Sequence, residues 1–559
     1  MKADQLMHRS FLIKLVSPFL IIFVYTNCNE LTLNNPCDQK SKSYKETLLL
    51  ASTSEIPIPF CGFRVSNAPK LWEAQSYLKA SNANPGDLFG NSVAISGETI
   101  VVGAPGEASN QTTITNGSTA SSDNSLSSAG AAYVYKRFGT SWSQEAYLKP
   151  SNLGGTDQFG VSVAIDGDTI VVGANQEDSN QTTITNSPNP ITPNEGATDA
   201  GAAYVFQRSG TTWAEQAYLK PSNMGANDQF GVSLAISGDT IAVGAFFEDS
   251  NQTSITNGSP APAIEGATDS GAVYVFQRSG TTWAEQAYLK PSNTGASDRF
   301  GVSVDISKDT IVVGANLEAS NQITITNGSG ASVDNSAANA GAAYVFRRTG
   351  VSWIQEAYLK APNAEAGDQF GTAVAIDGDT IVVGAFSEAS NQTTITNGTT
   401  ASSDNSATLA GAAYVFQRTG STWSHQAYLK PPNVGADDRF GIKVAIEGNT
   451  ILVGSIFEDN NQTTVTNGTI PNDDNSLSNA GAIYVFDRSG STWAFRAYIK
   501  APNGDVEDRF GNAISFSGDT AVVGVNQEDS NQNTITNGPN ASSDNSALQS
   551  GAAYVFFRK

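Results

Sequence analysis

The chain has 559 residues and carries 31 Lys and Arg against 53 Asp and Glu, a net charge of −22. That balance excludes sequence-nonspecific nucleic-acid binding, which needs clustered cations to meet phosphates. Only 15% of residues are charged, 52 are Gly and two are His, which fits neither a helical enzyme nor a histidine-based acid–base centre.

Residues 1–27 read as an export signal: Lys2, His8, Arg9 and Lys14 precede an apolar stretch from Leu15 to Val24 that is too short to span a bilayer. The stretch ends at Val24-Tyr25-Thr26-Asn27-Cys28, which resembles a relaxed bacterial lipobox with Asn27 in place of the usual small residue. The resemblance implies lipidation of Cys28, a membrane anchor, and residence at the outer membrane or cell surface; a periplasmic or secreted chain is the alternative. Residues 28–70 are rich in Ser, Pro and Lys and read as a tether, with Cys37 and Cys61 as a candidate disulfide.

From residue 71 the chain repeats. Phe-Gly begins at Phe89, Phe159, Phe230, Phe300, Phe370, Phe440 and Phe510, at spacings of 70 or 71. The seven Trp, from Trp72 to Trp493, keep the same phase. Units lie near 80–149, 150–220, 221–290, 291–360, 361–430, 431–500 and 501–559. Each predicts four short strands, in the second unit Phe159–Ile165, Thr169–Ala174, Gly201–Phe206 and Trp213–Lys220. Asp166-Gly167-Asp168 and Arg208–Thr212 are short enough for hairpins, and unalternating apolar runs such as Ile170-Val171-Val172 suit sheets covered on both faces. Four-stranded antiparallel sheets packed around an axis satisfy this, and seven fall within the range of about four to eight blades of a β-propeller. The expected fold is all-β. The strand 71–79 precedes the first Phe-Gly and the seventh unit stops after its third strand, so the N-terminal strand is expected to complete the last blade and close the ring.

These residues resemble the FG-GAP repeats of integrin α chains and of many bacterial surface proteins. Phe89-Gly90 is followed by Gly103-Ala104-Pro105, and Gly-Ala recurs at 173, 244, 314 and 384, weakening to Gly454-Ser455 and Gly524-Val525. The resemblance implies a propeller that binds ligands or partners, commonly outside the cell. It does not extend to the calcium loops of that family, because the turn between strands one and two is too short to supply the ligands. The acid in that turn is expected to make a local turn bond or to pair with the Arg of the neighbouring three-four turn.

The connection between strands two and three is about 25 residues long in every unit, well beyond the usual hairpin, and such loops are functional or disordered. Together the seven loops hold no Lys or Arg and 21 of the 53 acids. With Asp87, Asp157, Asp228, Asp298, Asp368, Asp438 and Asp508 from the four-one connections, one rim is expected to be strongly negative, offset in part by the Lys that ends each outer strand. Within the loops a phrase close to Ser-Asn-Gln-Thr-Thr-Ile-Thr-Asn-Gly recurs, followed in five units by Asp-Asn-Ser. Two readings stand. In one, each loop holds a cation, calcium being the candidate, between Glu107 and Asp123, Glu177 and Asp199, Glu248 and Asp269, Glu318 and Asp334, Glu388 and Asp404, Glu458 and Asp474, or Glu528 and Asp544. In the other, these residues are turn chemistry ordering a solvated loop. Asn124, Asn335, Asn405, Asn475 and Asn545 are candidates for a ligand-binding face.

A feature present seven times in phase is scaffold, and a single site should break the pattern. The breaks are His425, expected to be exposed on an outer strand, and Arg299, Arg439 and Arg509, which replace Gln before Phe-Gly as a rim cation cluster or as partners of the preceding Asp. No catalytic motif is present, so the chain is not read as an enzyme. The functional expectation is an exported, membrane-anchored module binding an extracellular protein or glycan through long acidic loops. The alternative is a surface coat or spacer with no specific ligand.

Overall fold

A computed structural model describes residues 70–186, 194–472 and 474–559, together with the backbone pairing of Pro59–Phe60 with Phe63–Arg64. Cys28, Cys37 and Cys61, and with them the export, lipidation and disulfide expectations, lie outside the described residues. Trp72–Lys559 is one compact unit.

Each repeat folds into an antiparallel blade, and the second shows why. Its inner strand, Ser162–Asp166, and second strand, Thr169–Ala174, are joined by the two-residue turn Gly167-Asp168, in which Gly167 takes φ 56°. A left-handed first turn position is what a two-residue hairpin asks for. Ala202–Ser209 and Thr212–Leu219 follow as the third and fourth strands. All six residues of Thr169–Ala174 are buried because the blade is covered on both sides. Ile170 and Val172 share a core with Val101 and Val134 of blade one, while Val171 shares the next core with Phe230 and Ile241 of blade three. Seven such cores separate seven blades in a propeller ring.

Two expectations are refined. The inner strand starts at Ser162 rather than Phe159, because Phe159-Gly160 forms a tight approach to the preceding blade. A Cβ on Gly160 (φ 95°) would collide with the Ala131 carbonyl, and one on Gly103 with the Gly160 carbonyl, so Phe-Gly of one blade nests on Gly-Ala of the blade before it. The second refinement corrects the expected four-stranded blade to five strands. Thr185–Asn186, inside the long loop, pairs outside the fourth strand through Thr185↔Tyr218 and Asn186↔Ala217. Two polar residues give no strand signal of their own; their pairing is set by the neighbouring outer strand.

The ring is closed by the N-terminal strand. Trp72–Leu78 pairs with Ala552–Arg558, in register from Trp72↔Arg558 to Leu78↔Ala553, and is the fourth strand of blade seven. A hydrogen bond from each three-four Arg to a Thr of the preceding blade runs round the ring: Arg208 to Thr99 at 3.1 Å and, across the closure, Arg137 to Thr520 at 3.1 Å. The same guanidinium lies over the following Trp, 5.1 Å for Arg208 and Trp213, and pairs with the acid of the one-two turn, 2.5 Å for Asp168. The turn acids are thus Arg partners, as in Arg278–Asp239, Arg348–Asp309 and Arg418–Asp379.

Candidate functional site

The two-three loops and the four-one connections meet on one face and are bonded together there. The amides of Thr156, Gln158 and Phe159 donate to the carbonyls of Ser127, Ser128 and Ala129 at 2.9–3.1 Å. To aim those groups, Ser128, Thr156 and Gln158 take φ of 49°, 70° and 57°. The same ladder crosses the closure, where Leu88 and Phe89 donate to Gln549 and Ser550.

Under this face each blade buries an ion pair. Lys149 Nζ donates to Glu107 Oε2 at 2.9 Å and to the Gly130 carbonyl at 2.6 Å, and both charged side chains are wholly inaccessible. The other Glu107 oxygen accepts from Tyr147 Oη (2.9 Å) and Asn82 Nδ2 (3.0 Å), and Asn82 in turn accepts from Tyr133. The pair recurs as Lys220–Glu177, Lys290–Glu248, Lys360–Glu318, Lys430–Glu388, Lys500–Glu458 and Lys79–Glu528 at 3.0–3.1 Å. Burial lowers the Lys149 amine, opposed by the Glu107 charge, and raises the Tyr147 hydroxyl. Taking both charges out of water is offset by their mutual attraction and by the hydrogen bonds that each makes to its buried neighbours.

The expected joining of each Glu to the later Asp is therefore replaced. Glu107, Glu177, Glu248, Glu318, Glu388, Glu458 and Glu528 are held by Lys beneath the face, whereas the Asp of the Asp-Asn-Ser phrase stays at the surface as turn chemistry. Asp123 Oδ1 accepts from the Asn110 and Ser125 amides (3.2 and 3.1 Å) and from Ser125 Oγ (2.7 Å), which lowers its carboxyl. Asp334 and Asp404 make the same set, and Asp474 and Asp544 bind Ser476 and Ser546. In blades two and three the Asp199 and Asp269 amides donate to Asp178 and Asp249 at 2.7 and 2.8 Å. No group of three or more His, Cys, Asp or Glu among the described residues is placed to hold a metal ion. Asn124, Asn335, Asn405, Asn475 and Asn545 are all exposed at the loop tips; Asn405 donates to Glu365 (2.6 Å) and Asn545 to Asp505.

The rest of the recurring phrase bonds one blade to the next. Asn116 Oδ1 accepts from the Trp213 amide (2.7 Å) and its Nδ2 donates to the Trp213 carbonyl (3.2 Å). Asn186, Asn257, Asn327, Asn397, Asn467 and Asn537 clamp Trp283, Trp353, Trp423, Trp493, Trp72 and Trp142 in the same way. Gln111 braces the turn through the Thr113 carbonyl and Thr115 Oγ1, and Ile114 packs on the interblade core. Over their described residues these loops are parts of the scaffold with exposed tips, in line with the reading of the phrase as turn chemistry; the clamps on the neighbouring blade's Trp were not anticipated.

The negative rim is also corrected. Asp87, Asp157, Asp228, Asp298, Asp368, Asp438 and Asp508 are buried, each accepting from the amide three residues earlier, as Asp157 does from Gly154 at 2.7 Å. Burial pushes their carboxyls up, to about 7 for Asp87, Asp157, Asp228, Asp368 and Asp438, about 6 for Asp298 and about 8 for Asp508. His425 is buried rather than exposed, packed against Phe416 and Tyr414 with its pKa lowered by burial to about 4. Arg299, Arg439 and Arg509 stack on phenylalanines, and Arg509 also pairs with Glu507 at 3.2 Å.

Seven blades, each nesting Phe-Gly on the Gly-Ala, Gly-Ser or Gly-Val of the blade before it, with a loop-bearing face above buried ion pairs, define the class as a closed seven-bladed β-propeller. The FG-GAP repeat model matches residues 72–135, 142–206, 213–276, 283–346, 353–416, 423–469 and 493–556, and the chain belongs to the FG-GAP repeat family. No curated protein matches it. Among solved structures, the N-terminal domain of Nup159 is similar over 88% of this chain and 97% of that chain, at 9% identity and a TM-score of 0.34, too loose a likeness to argue from.

Proposed function

We propose that the protein is an exported, membrane-anchored binding module whose two-three loop tips recognise an extracellular protein or glycan, and that it carries out no reaction. One observation carries this reading. The loops are fixed by buried Lys–Glu pairs and Asn–Trp clamps, yet each of the five Asp-Asn-Ser phrases holds its middle Asn exposed in a short turn. A rigid ring of presented polar groups binds with little ordering cost, the general advantage of preorganisation. FG-GAP membership fits a recognition module.

A spacer or coat role is the second reading, favoured by the clamps themselves, which stiffen every blade junction. The two separate on a binding test. Replacing Asn124, Asn335, Asn405, Asn475 and Asn545 together by Lys leaves the buried pairs and clamps untouched and is expected to abolish binding of the purified chain to cells or matrix. Undiminished binding by a folded variant would refute tip recognition, and absence of any binding by the wild-type chain would favour the spacer.

A further inference from the structure

Of the seven residues that precede Phe-Gly, three are Gln, three are Arg and one is Leu88. In ordinary blades the residue before Phe-Gly is Gln, bonded to an Asn or Gln just past a second strand: Gln158 to Gln176 at 2.6 Å, Asn175 to Gln229 and Asn316 to Gln369 at 3.2 Å. In blades four, six and seven Arg takes that place and the amide pairing gives way to a stack, as of Arg299 on Phe247 at 5.2 Å. Arg439 lies 5.6 Å from the Phe386 ring and 4.3 Å from Phe457, and Arg509 lies 5.0 Å from the same Phe457 ring. A guanidinium lying over a ring keeps its nitrogen edge free for a flat, two-oxygen acceptor. Among the described residues Arg439 has no carboxylate at ion-pair distance, and the buried Nε atoms of Arg439 and Arg509 have no hydrogen-bond partner.

We propose that the cluster formed by Arg439, Phe386, Phe457 and Arg509 is a carboxylate site that takes an Asp or Glu side chain of a partner polypeptide. In a chain of net charge −22, Arg439 lacks a carboxylate at ion-pair distance and lies between half-buried aromatic rings, with Arg509, itself paired with Glu507, on the same Phe457 ring; this suits a ligand with one anionic group and apolar surroundings. A sulfated or phosphorylated polymer fits less well. The two-three loops of blades six and seven carry Asp474 and Asp544 and no Lys or Arg, which repels a multiply charged polymer more than a single carboxylate. The proposal rests on this face being the recognition face.

The test pans random phage-displayed peptides against the immobilised full chain and against R439Q/R509Q. Gln is the residue of blades two, three and five at these positions, so the variant retains a native local solution, and an unchanged melting temperature verifies it. The expected result is enrichment of peptides with an Asp or Glu next to apolar residues, bound at least about tenfold more weakly by R439Q/R509Q. Peptides without acidic residues, or equal binding to both proteins, would overturn the site. Arginine-dependent binding of a heparin oligosaccharide without arginine-dependent peptide binding would overturn the polypeptide ligand. Loss of partner binding on changing the tip Asn residues, with peptide binding equal in R439Q/R509Q and wild type, would keep the recognition face and reject this site.

Discussion

Lys308 stands in the first position of the fourth blade's one-two turn at φ 56°, where the other six blades place Gly at φ 56–63°. A side chain in the left-handed region costs about 1–2 kcal/mol that Gly avoids, partly offset because Gly gains entropy when unfolded. Lys308→Gly is therefore expected to stabilise the protein by up to about 1 kcal/mol, read as a rise in denaturation midpoint. The buried carboxyls act on pH. Each Asp raised from 3.8 to about 7 binds its proton more tightly folded than unfolded, so its contribution favours folding at low pH and is lost as pH rises through about 4 to 8. Melting temperature is expected to be higher at mildly acidic pH than at mildly alkaline pH, and Asp→Asn at 157, 228 and 368 should flatten that slope. A profile rising with pH across this range would show that these groups are ionised in the fold. Truncating one partner of a buried pair, as in Lys149→Met, leaves Glu107 unpaired and is expected to cost about 3–5 kcal/mol, with Glu107→Leu restoring part of it in the double variant.

At the scale of elements, the long loops are the informative case. Asn257→Ala removes both bonds to the Trp353 backbone and leaves a donor and an acceptor unmet, so a loss of about 1–3 kcal/mol is expected in chemical denaturation. The strands themselves were legible: Thr-Ile-Val-Val-Gly-Ala, the short turns and the Trp phase gave four strands per blade with ends within a few residues. The fifth strand was not, because Thr185–Asn186 owes its pairing to Tyr218 and Ala217 rather than to any local pattern. The site was less legible than the fold. Glu107 and Asp123 share a loop in sequence, yet the partner that decides the role of Glu107 is Lys149 at the end of a distant strand. Likewise, nothing local told that Asp157 would be buried, since the residues covering it come from a different loop. The pattern breaks at Arg439 and Arg509 were visible; the phenylalanines beneath them were not connected to them until the blades were brought together.

Residues 72–559 form a ring in which the first strand, Trp72–Leu78, and the last, Ala552–Arg558, share one blade, so that first strand belongs to a closure rather than to a local unit. Deleting 71–79 removes the fourth strand of blade seven, the Lys79–Glu528 pair and the Asn467 clamp on Trp72 together. The account's central claim is that the two-three loops are built into this ring and present only their tips. Hydrogen–deuterium exchange of the full chain tests it most directly. The amides of residues 107–117 and their counterparts in other blades are expected to be protected at the level of the outer strands, with fast exchange confined to the tips near Asp123, Asp334, Asp404 and Asp544. Rapid exchange across the whole of 105–129 and its counterparts would contradict it.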